Sequence, residues 1–264
     1  MLLALAARRG PVLALCALAC AALLAVAALV PLPYTLVQPG VTADVLGEHR
    51  GEPVITVRGG PATPEPSEGE LLMTTIAATP PDASVGLADV FSGWLADDRA
   101  VLPTDVVYPV GDSPREIREH NRGEMTASQT DARAAAFGAL GLSGDDVEVT
   151  LRLDEIGGPS AGLLFALGIV EKVEGGGDDL TGGRTIAGTG TIAADGTVGP
   201  VGGVPLKTQA ARRDGAEVFL VPRAECAQAG AELPDGLRLV PVETLDGALD
   251  ALAALRDGGT VPTC

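Results

Sequence analysis

Several residue types that enzymes commonly use are scarce in this chain of 264 residues. Only two histidines, His49 and His120, are present, and both lie in the N-terminal half. This leaves little material for a histidine-based catalytic or metal site. None of the four cysteines forms a Cys-x-x-Cys pair, so we do not expect zinc. We expect no metal and no cofactor.

Positive charge is also scarce. Eighteen Lys and Arg residues oppose 35 Asp and Glu residues, which gives a formal net charge of −17. A nucleic-acid-binding protein needs a basic surface to displace phosphate counterions, so nucleic acid is excluded as a partner. Only two of the basic residues are lysines, Lys172 and Lys207. Unlike an arginine, a lysine can lose its proton inside a protein, so each is a candidate base.

The N-terminal region contains a long apolar segment, residues 12–30, which has no polar side chain. As a helix it would span roughly 28 Å, close to the thickness of a bilayer core. Arg8 and Arg9 precede the segment and the next basic residue is Arg50. The positive-inside rule therefore predicts a single-pass membrane anchor with a cytoplasmic N-terminus. The alternative is a cleaved signal peptide with Ala25-Val26-Ala27 as its cleavage site, although signal peptides usually have shorter apolar regions.

Both alternatives put residues 34–264 outside the cytoplasm, where disulfides persist. Cys226 and Cys264 lie in this part of the chain and could pair there. The alternative is that they are two unpaired small apolar side chains.

The exported part divides into two regions at about residue 146. The first, 34–146, is predicted to contain strands at 53–57 and 70–78, a helix at 85–95 capped by Ser84, and a long helix from Pro114 to about Leu140. The second, 147–264, opens with a strand at 147–153. The chemistry-bearing motifs lie in this second region.

A glycine-rich turn joins that strand to an apolar helix, with the sequence Gly158-Pro159-Ser160-Ala161-Gly162. Pro159 suits the first turn of a helix, which would place Ser160 at the helix N-terminus beside free backbone N–H groups. Such a position can activate a nucleophile and hold an oxyanion. The alternative is a serine that only caps the helix. Asp154 and Glu155 are nearby carboxylates, and such residues beside a glycine turn are usually only solvated.

A second motif follows a predicted hairpin centred on Asp195-Gly196. The run Gly202-Gly203-Val204-Pro205-Leu206-Lys207 opens a helix, which puts Lys207 near the helix N-terminus. There the helix dipole disfavours an ammonium and is expected to lower the pKa of the lysine. A lysine general base needs such an environment.

Together the two motifs resemble those of the Lon protease proteolytic domain, which uses a Ser–Lys dyad. The Gly-Pro-Ser-Ala-Gly run matches the nucleophile motif, and the segment from Gly202 through Lys207 to Gly215 matches the lysine motif. The resemblance covers about residues 147–222. It implies an α+β fold with a mixed sheet and packed helices, preceded here by the transmembrane helix. It also places Thr189 where the family has a threonine hydrogen-bonded near the lysine.

The whole chain is similar to membrane-anchored, Lon-like bacterial proteins that carry a PDZ domain, which also have a cysteine near the C-terminus. Two features depart from the known patterns. Gly157 stands where cytoplasmic Lon has an aspartate, and Gly141 to Asp146 leaves no room for a PDZ domain. We also find no ATPase motif, because Leu206 stands where a P-loop needs glycine.

These observations favour an ATP-independent, membrane-anchored serine endopeptidase acting on extracytoplasmic polypeptides. The implied catalytic residues are Ser160 and Lys207, supported by Thr189, Gly158, Pro159 and Ala161. The resemblance also implies a possible homo-oligomeric ring. The expected regions are a stub and anchor at 1–33, a strand and helix region at 34–146, and a proteolytic domain at 147–264. The alternative function is a non-catalytic, membrane-tethered scaffold that keeps the Lon protease fold.

Overall fold

The computed structural model describes residues 2–59, 67–111, 113–143, 147–153, 158–174 and 179–264. The described helices are α1 (Leu2–Leu29), α2 (Leu87–Trp94), α3 (Thr104–Val107), α4 (Pro114–Leu140), α5 (Gly162–Glu174), α6 (Val204–Arg213), α7 (Cys226–Ala231) and α8 (Leu245–Arg256). The described strands are β1 (Tyr34–Asp44), β2 (Glu48–His49), β3 (Glu52–Pro53), β4 (Ile55–Gly59), β5 (Glu70–Ala78), β6 (Ala100–Pro103), β7 (Val147–Leu151), β8 (Thr185–Gly188), β9 (Thr191–Ile192), β10 (Val198–Gly199), β11 (Val218–Pro222) and β12 (Arg238–Val242). The chain forms two compact units, one of residues 1–37 and 78–109 and the other of residues 38–77 and 110–264.

The larger unit is built on a sheet whose strands follow the order β12-β11-β8-β5-β1. Strands β5, β8, β11 and β12 are mutually parallel. Every residue of β11 is buried, as expected for a central parallel strand that is covered on both faces. In register, Gly188 at the end of β8 lies between Met73 of β5 and Leu220 of β11. The carboxyl ends of β8 and β11 therefore lie at the same edge of the sheet, while β5 continues beyond Met73 to Ala78.

Helix α5 forms the centre of the larger hydrophobic core. Its sequence is apolar nearly all round, and residues 162–170 are all buried. A helix without a polar face must be enclosed by other elements. Helices α4 and α8 and strand β4 pack against it. A short antiparallel ladder of β4 with β7 and a hairpin of β9 with β10 complete this unit.

The smaller unit contains α1, α2, α3 and β6, with the first residues of β1 paired antiparallel to β6. Among the residues that the structure describes, no helix combines the length and the apolar character needed to cross a membrane. Helix α2 begins after Gly86, whose N–H donates to the Asp89 carboxylate at 2.8 Å. The predicted cap at Ser84 was therefore wrong, because Asp89 supplies the capping carboxylate from within the first turn.

The α+β part of the predicted fold class is confirmed, with helices packed on a sheet, whereas the transmembrane helix that was predicted to precede it is not supported by the described helices. The long helix from Pro114 to Leu140 and the strand at 70–78 are found with the predicted bounds. The strand predicted at 147–153 ends at Leu151. The predicted division of the chain at residues 33 and 146 stays a prediction.

Candidate active site

Ser160 is the middle residue of a short 3-10 helix, Pro159–Ala161, that leads directly into α5. Gly158 precedes it with φ 97°, a backbone conformation that favours glycine. The Gly158 N–H donates to the Asn121 carbonyl on α4 at 3.3 Å. Ser160 itself is half-buried, and Ala161 beside it is 1% exposed. The serine thus lies at the start of a fully enclosed helix, as its motif predicted.

Helix α4 and strand β9 hold this turn from two sides. The Ser128 hydroxyl on α4 donates to the Pro159 carbonyl at 3.1 Å. A Cβ atom on Gly162 would lie 2.9 Å from Ser128 Oγ and 3.0 Å from the Ile192 backbone nitrogen. These approaches are too close for any side chain, so the second glycine of the motif permits α5 to start in contact with both elements.

The backbone carbonyl of Ser160 is bound by the segment that follows β8. It accepts hydrogen bonds from the Gly190 N–H at 3.0 Å and from the Thr189 hydroxyl at 3.2 Å. Thr189 is fully buried, and its own N–H donates to the Leu220 carbonyl of β11 at 3.1 Å. The orientation of the Ser160 residue is therefore tied to the carboxyl end of the parallel sheet.

Lys207 approaches the same threonine from α6. Gly203, with φ 70°, caps this helix, and its carbonyl accepts the Lys207 N–H at 3.1 Å. The Lys207 side chain is 3% exposed, and Nζ donates to Thr189 Oγ1 at 3.0 Å. A continuous hydrogen-bonded chain thus runs from the Lys207 amine through the Thr189 hydroxyl to the Ser160 carbonyl. The structure brings together all three of these predicted residues.

The directions of these hydrogen bonds show whether the lone pair on Lys207 Nζ is free to accept a proton. The Thr189 hydroxyl has one proton, and it donates that proton to the Ser160 carbonyl. It can therefore only accept from Lys207, which must use an N–H for this contact. A neutral amine held in this way keeps its lone pair for another partner. Thr189 orients the amine without consuming its basicity.

Burial lowers the pKa of Lys207 from 10.5 to about 8, while the negative charge of Glu225 acts in the opposite direction. The direction agrees with the sequence-based expectation, but the cause differs. The expected cause was the dipole at the start of α6, and the largest cause in the structure is removal of the ammonium from water. A lysine with a pKa near 8 is neutral in about one tenth of the molecules at pH 7, far more than an ordinary lysine, and a general base requires this neutral form.

Two residues in contact with this arrangement were not predicted from the sequence. Ser128 lies 32 positions before Ser160, in the long polar helix, where no motif distinguishes it from its neighbours. Glu225 follows β11 and is 4% exposed, with Oε2 accepting the Val201 N–H at 3.1 Å. The sequence contains only a weak indication for Glu225. It lies shortly after an apolar strand, and a buried glutamate usually has a hydrogen-bond or charge partner.

The remaining predicted residues lie as follows. Asp154, Glu155 and Gly157 fall outside the described residues. Cys226 and Cys264 are joined by a disulfide with Cα atoms 5.2 Å apart. This bond connects the C-terminal residue to the start of α7, immediately after Glu225.

Comparison with known proteins identifies the class of this domain. Residues 154–254 match the family model of the Lon protease C-terminal proteolytic domain. The segment contains both predicted motifs and the elements that carry Ser160, Thr189 and Lys207. This chain therefore carries a Lon-type protease domain.

A curated relative supports the same assignment. The chain is 26% identical to Lon protease 2 of Bacillus subtilis (strain 168) over 204 residues, which are 76% of this chain and 33% of the relative. The chain thus spans about a third of the length of the relative it matches. The further similarity to membrane-anchored proteins with a PDZ domain stays a prediction.

Proposed function

We propose that this chain is a serine endopeptidase in which Ser160 is the nucleophile and Lys207 the general base. The observation that carries the proposal is the chain of hydrogen bonds from the Lys207 amine through the Thr189 hydroxyl to the backbone carbonyl of Ser160, which holds the three residues in one site. The site thus contains a serine as candidate nucleophile, a base with a lowered pKa and a residue that orients the base. Those are the parts that nucleophilic catalysis by a serine requires.

The proposed reaction begins with neutral Lys207. The Ser160 hydroxyl transfers its proton to the lone pair on Nζ while Oγ bonds to the carbonyl carbon of the peptide. The carbonyl π electrons move to oxygen, and backbone N–H groups around Ser160, at the start of α5, hold the resulting oxyanion. The Lys207 ammonium then protonates the departing amine, and the C–N bond breaks to leave an acyl ester on Ser160. Water, deprotonated by the regenerated amine, then attacks the ester carbonyl, the C–Oγ bond breaks, and the Lys207 ammonium returns the proton to Ser160 Oγ as the new carboxyl end leaves.

None of these steps consumes a nucleotide, so we propose that cleavage is independent of ATP. The substrate class is polypeptide, with unfolded segments favoured because an extended chain can reach a half-buried serine. By resemblance to other Lon-type domains, we also propose that copies assemble into a ring, which sedimentation velocity would detect.

We further propose that residues 12–30 anchor the chain in the cell membrane and that the protease domain works on the extracytoplasmic side. The support comes from the sequence, which is apolar in this segment and basic before it, and not from the described helices, none of which is long and apolar enough to span a membrane. In α1, Leu13, Leu18 and Leu23 are 68–70% exposed and make a surface suited to lipid. Full-length protein is expected to float with lipid vesicles and to resist alkaline carbonate, whereas Leu18→Arg with Leu23→Arg is expected to be released. Release of the unaltered chain by carbonate would contradict the anchor.

The enzymatic proposal is tested by degradation of an unfolded, fluorescently labelled polypeptide without nucleotide. The full chain is expected to cleave it, and Ser160→Ala is expected to remove all cleavage. Ser92→Ala is the matched control, because Ser92 is an exposed serine in the other compact unit. Cleavage that persists in Ser160→Ala would exclude Ser160 as the nucleophile, and no cleavage by any form would favour a non-catalytic scaffold.

A further inference from the structure

Glu225 is a buried carboxylate that the Ser–Thr–Lys arrangement does not use. It is the last residue of a short 3-10 helix, Arg223–Glu225, directly after β11. Only 4% of it is exposed, and burial raises the pKa of its carboxyl group. A buried carboxylate is costly unless other groups compensate for the lost water. Two groups compensate here, the Val201 N–H and the charge of Lys207.

The first of these contacts, with the Val201 N–H, holds the loop that leads into α6, the helix that carries Lys207. Val201 lies in the loop between β10 and α6, and Glu225 Oε2 accepts its N–H at 3.1 Å. Two residues further on, Gly203 begins α6 in the left-handed conformation and binds the Lys207 N–H through its carbonyl. Glu225 therefore fixes the loop that sets where α6 starts and, with it, where the Lys207 side chain enters the site.

The second contact is electrostatic. Among the described residues, Glu225 is the charged group that acts on the Lys207 amine, and its negative charge favours the ammonium form against the effect of burial. Its location follows from the sheet. Thr189 follows the end of β8, Glu225 follows the end of β11, and these strands are parallel neighbours. Both residues thus lie at the same edge of the sheet. Lys207 of α6 contacts Thr189 there.

We propose that Glu225 is a positioning residue of the active site: it anchors the loop before α6 and stabilises the ammonium that forms on Lys207 as Ser160 attacks. The carboxylate gives and takes no proton. It acts because Lys207 must change from a neutral amine to a cation inside a site nearly closed to water, where an opposite charge has a large effect. The catalytic role of Glu225 rests on the proposed function, whereas its electrostatic effect on the pKa of Lys207 is independent of that function.

The charge and the hydrogen bond can be separated by substitution. In Glu225→Gln the amide oxygen can still accept the Val201 N–H, but the negative charge is lost. In Glu225→Ala both are lost. Glu232→Gln removes an exposed carboxylate from the end of α7 and is the matched control for a change of net charge.

The chain permits a direct measurement because it contains only two lysines. With lysine labelled at 13Cε, NMR titration of the full chain follows Lys207 and Lys172 as two signals, which Lys172→Arg assigns. We expect the titration midpoint of Lys207 to fall by about one pH unit in Glu225→Gln. The midpoint of Lys172, and both midpoints in Glu232→Gln, are expected to stay unchanged. An unchanged or raised Lys207 midpoint in Glu225→Gln would overturn the proposal.

Kinetics then test the catalytic part. The rising limb of the pH profile of kcat/KM should move to lower pH by the same amount as the NMR midpoint. The plateau in kcat should fall roughly threefold to tenfold because the ammonium is less stabilised. A pH profile in Glu225→Gln that superimposes on the unaltered protein, with loss of activity only in Glu225→Ala, would reduce Glu225 to a structural role. Failure of the proposed function is distinguishable, since it would abolish Ser160-dependent cleavage without altering the NMR result.

Discussion

Replacing Thr189 by valine removes the hydroxyl that joins Lys207 to Ser160 and leaves the shape of the side chain nearly unchanged. Both partners are enclosed, with Thr189 fully buried and Lys207 only 3% exposed, so water cannot readily take the place of the hydroxyl. The Ser160 carbonyl keeps the Gly190 N–H at 3.0 Å. The Lys207 amine loses its acceptor at 3.0 Å. The substitution therefore acts mainly on the base.

The size of the effect follows from the change in charge on Lys207 during the reaction. A hydrogen bond between neutral groups contributes about 1 kcal/mol, and one to a charged group about 1.5–3 kcal/mol. In the proposed mechanism Lys207 is neutral before Ser160 attacks and cationic in the transition state, so the Thr189 contact strengthens by roughly 0.5–2 kcal/mol along the reaction. Since 1.36 kcal/mol corresponds to a factor of ten, kcat is expected to fall about twofold to thirtyfold.

The assay is steady-state cleavage of a fluorogenic peptide, with kcat and KM determined separately. KM is expected to change little, because Thr189 is fully buried and has no surface on which a substrate could bind. Thr189→Ser is the matched control, since it keeps the hydroxyl and loses only a methyl group. A kcat in Thr189→Val within twofold of the unaltered protein would refute the reasoning, as would an equal loss in Thr189→Ser.

Three further predictions concern the base and the disulfide. Because only the neutral amine can accept the Ser160 proton and the pKa of Lys207 is about 8, kcat/KM should rise tenfold per pH unit up to about pH 8 and then level off; a profile flat from pH 6 to 9 would contradict this. Lys207→Met should abolish cleavage yet raise the thermal midpoint at pH 7. At pH 7 the Lys207 amine of the folded protein is mostly protonated although its pKa lies below the ordinary value of 10.5, and this lowers the stability of the folded state by about 3 kcal/mol. A lower thermal midpoint in Lys207→Met than in the unaltered protein would contradict the prediction. This loss of stability is present below pH 8 and disappears as the pH rises towards 10.5, so stability of the unaltered protein should increase over this range. Cys264→Ser opens a loop with a sequence separation of 38 residues and should lower the free energy of unfolding by about 4 kcal/mol on a loop-entropy estimate, measured by denaturant titration; a loss below 1 kcal/mol would contradict it.

The parts of the site that the sequence predicted are those carried by continuous motifs. Ser160 and Lys207 each lie at the start of a helix, and proline and glycine residues mark those starts in the sequence itself. Local backbone rules therefore sufficed to place both residues. The resemblance to the Lon protease proteolytic domain then connected them to Thr189.

The parts that could not be predicted depend on strand pairing. Glu225 and Thr189 lie at the same edge of the sheet only because β8 and β11 are parallel neighbours, and no local pattern encodes that pairing. The same holds for β5, which pairs with β8 although Glu70 and Thr185 are 115 residues apart. The depth at which Lys207 is buried also follows from this packing. Burial is the largest cause of its lowered pKa.

In the proposed mechanism, Lys207 removes the proton of the Ser160 hydroxyl, and Ser160 then forms the acyl ester. The most direct measurement is to mix the full chain with a peptide ester at pH 8.5, quench in acid and map the adduct by mass spectrometry. We predict an acyl group on the peptide that contains Ser160, absent in Ser160→Ala and absent on the same timescale in Lys207→Met. Turnover of the ester without an adduct on Ser160, or an adduct that forms equally fast in Lys207→Met, would contradict the account.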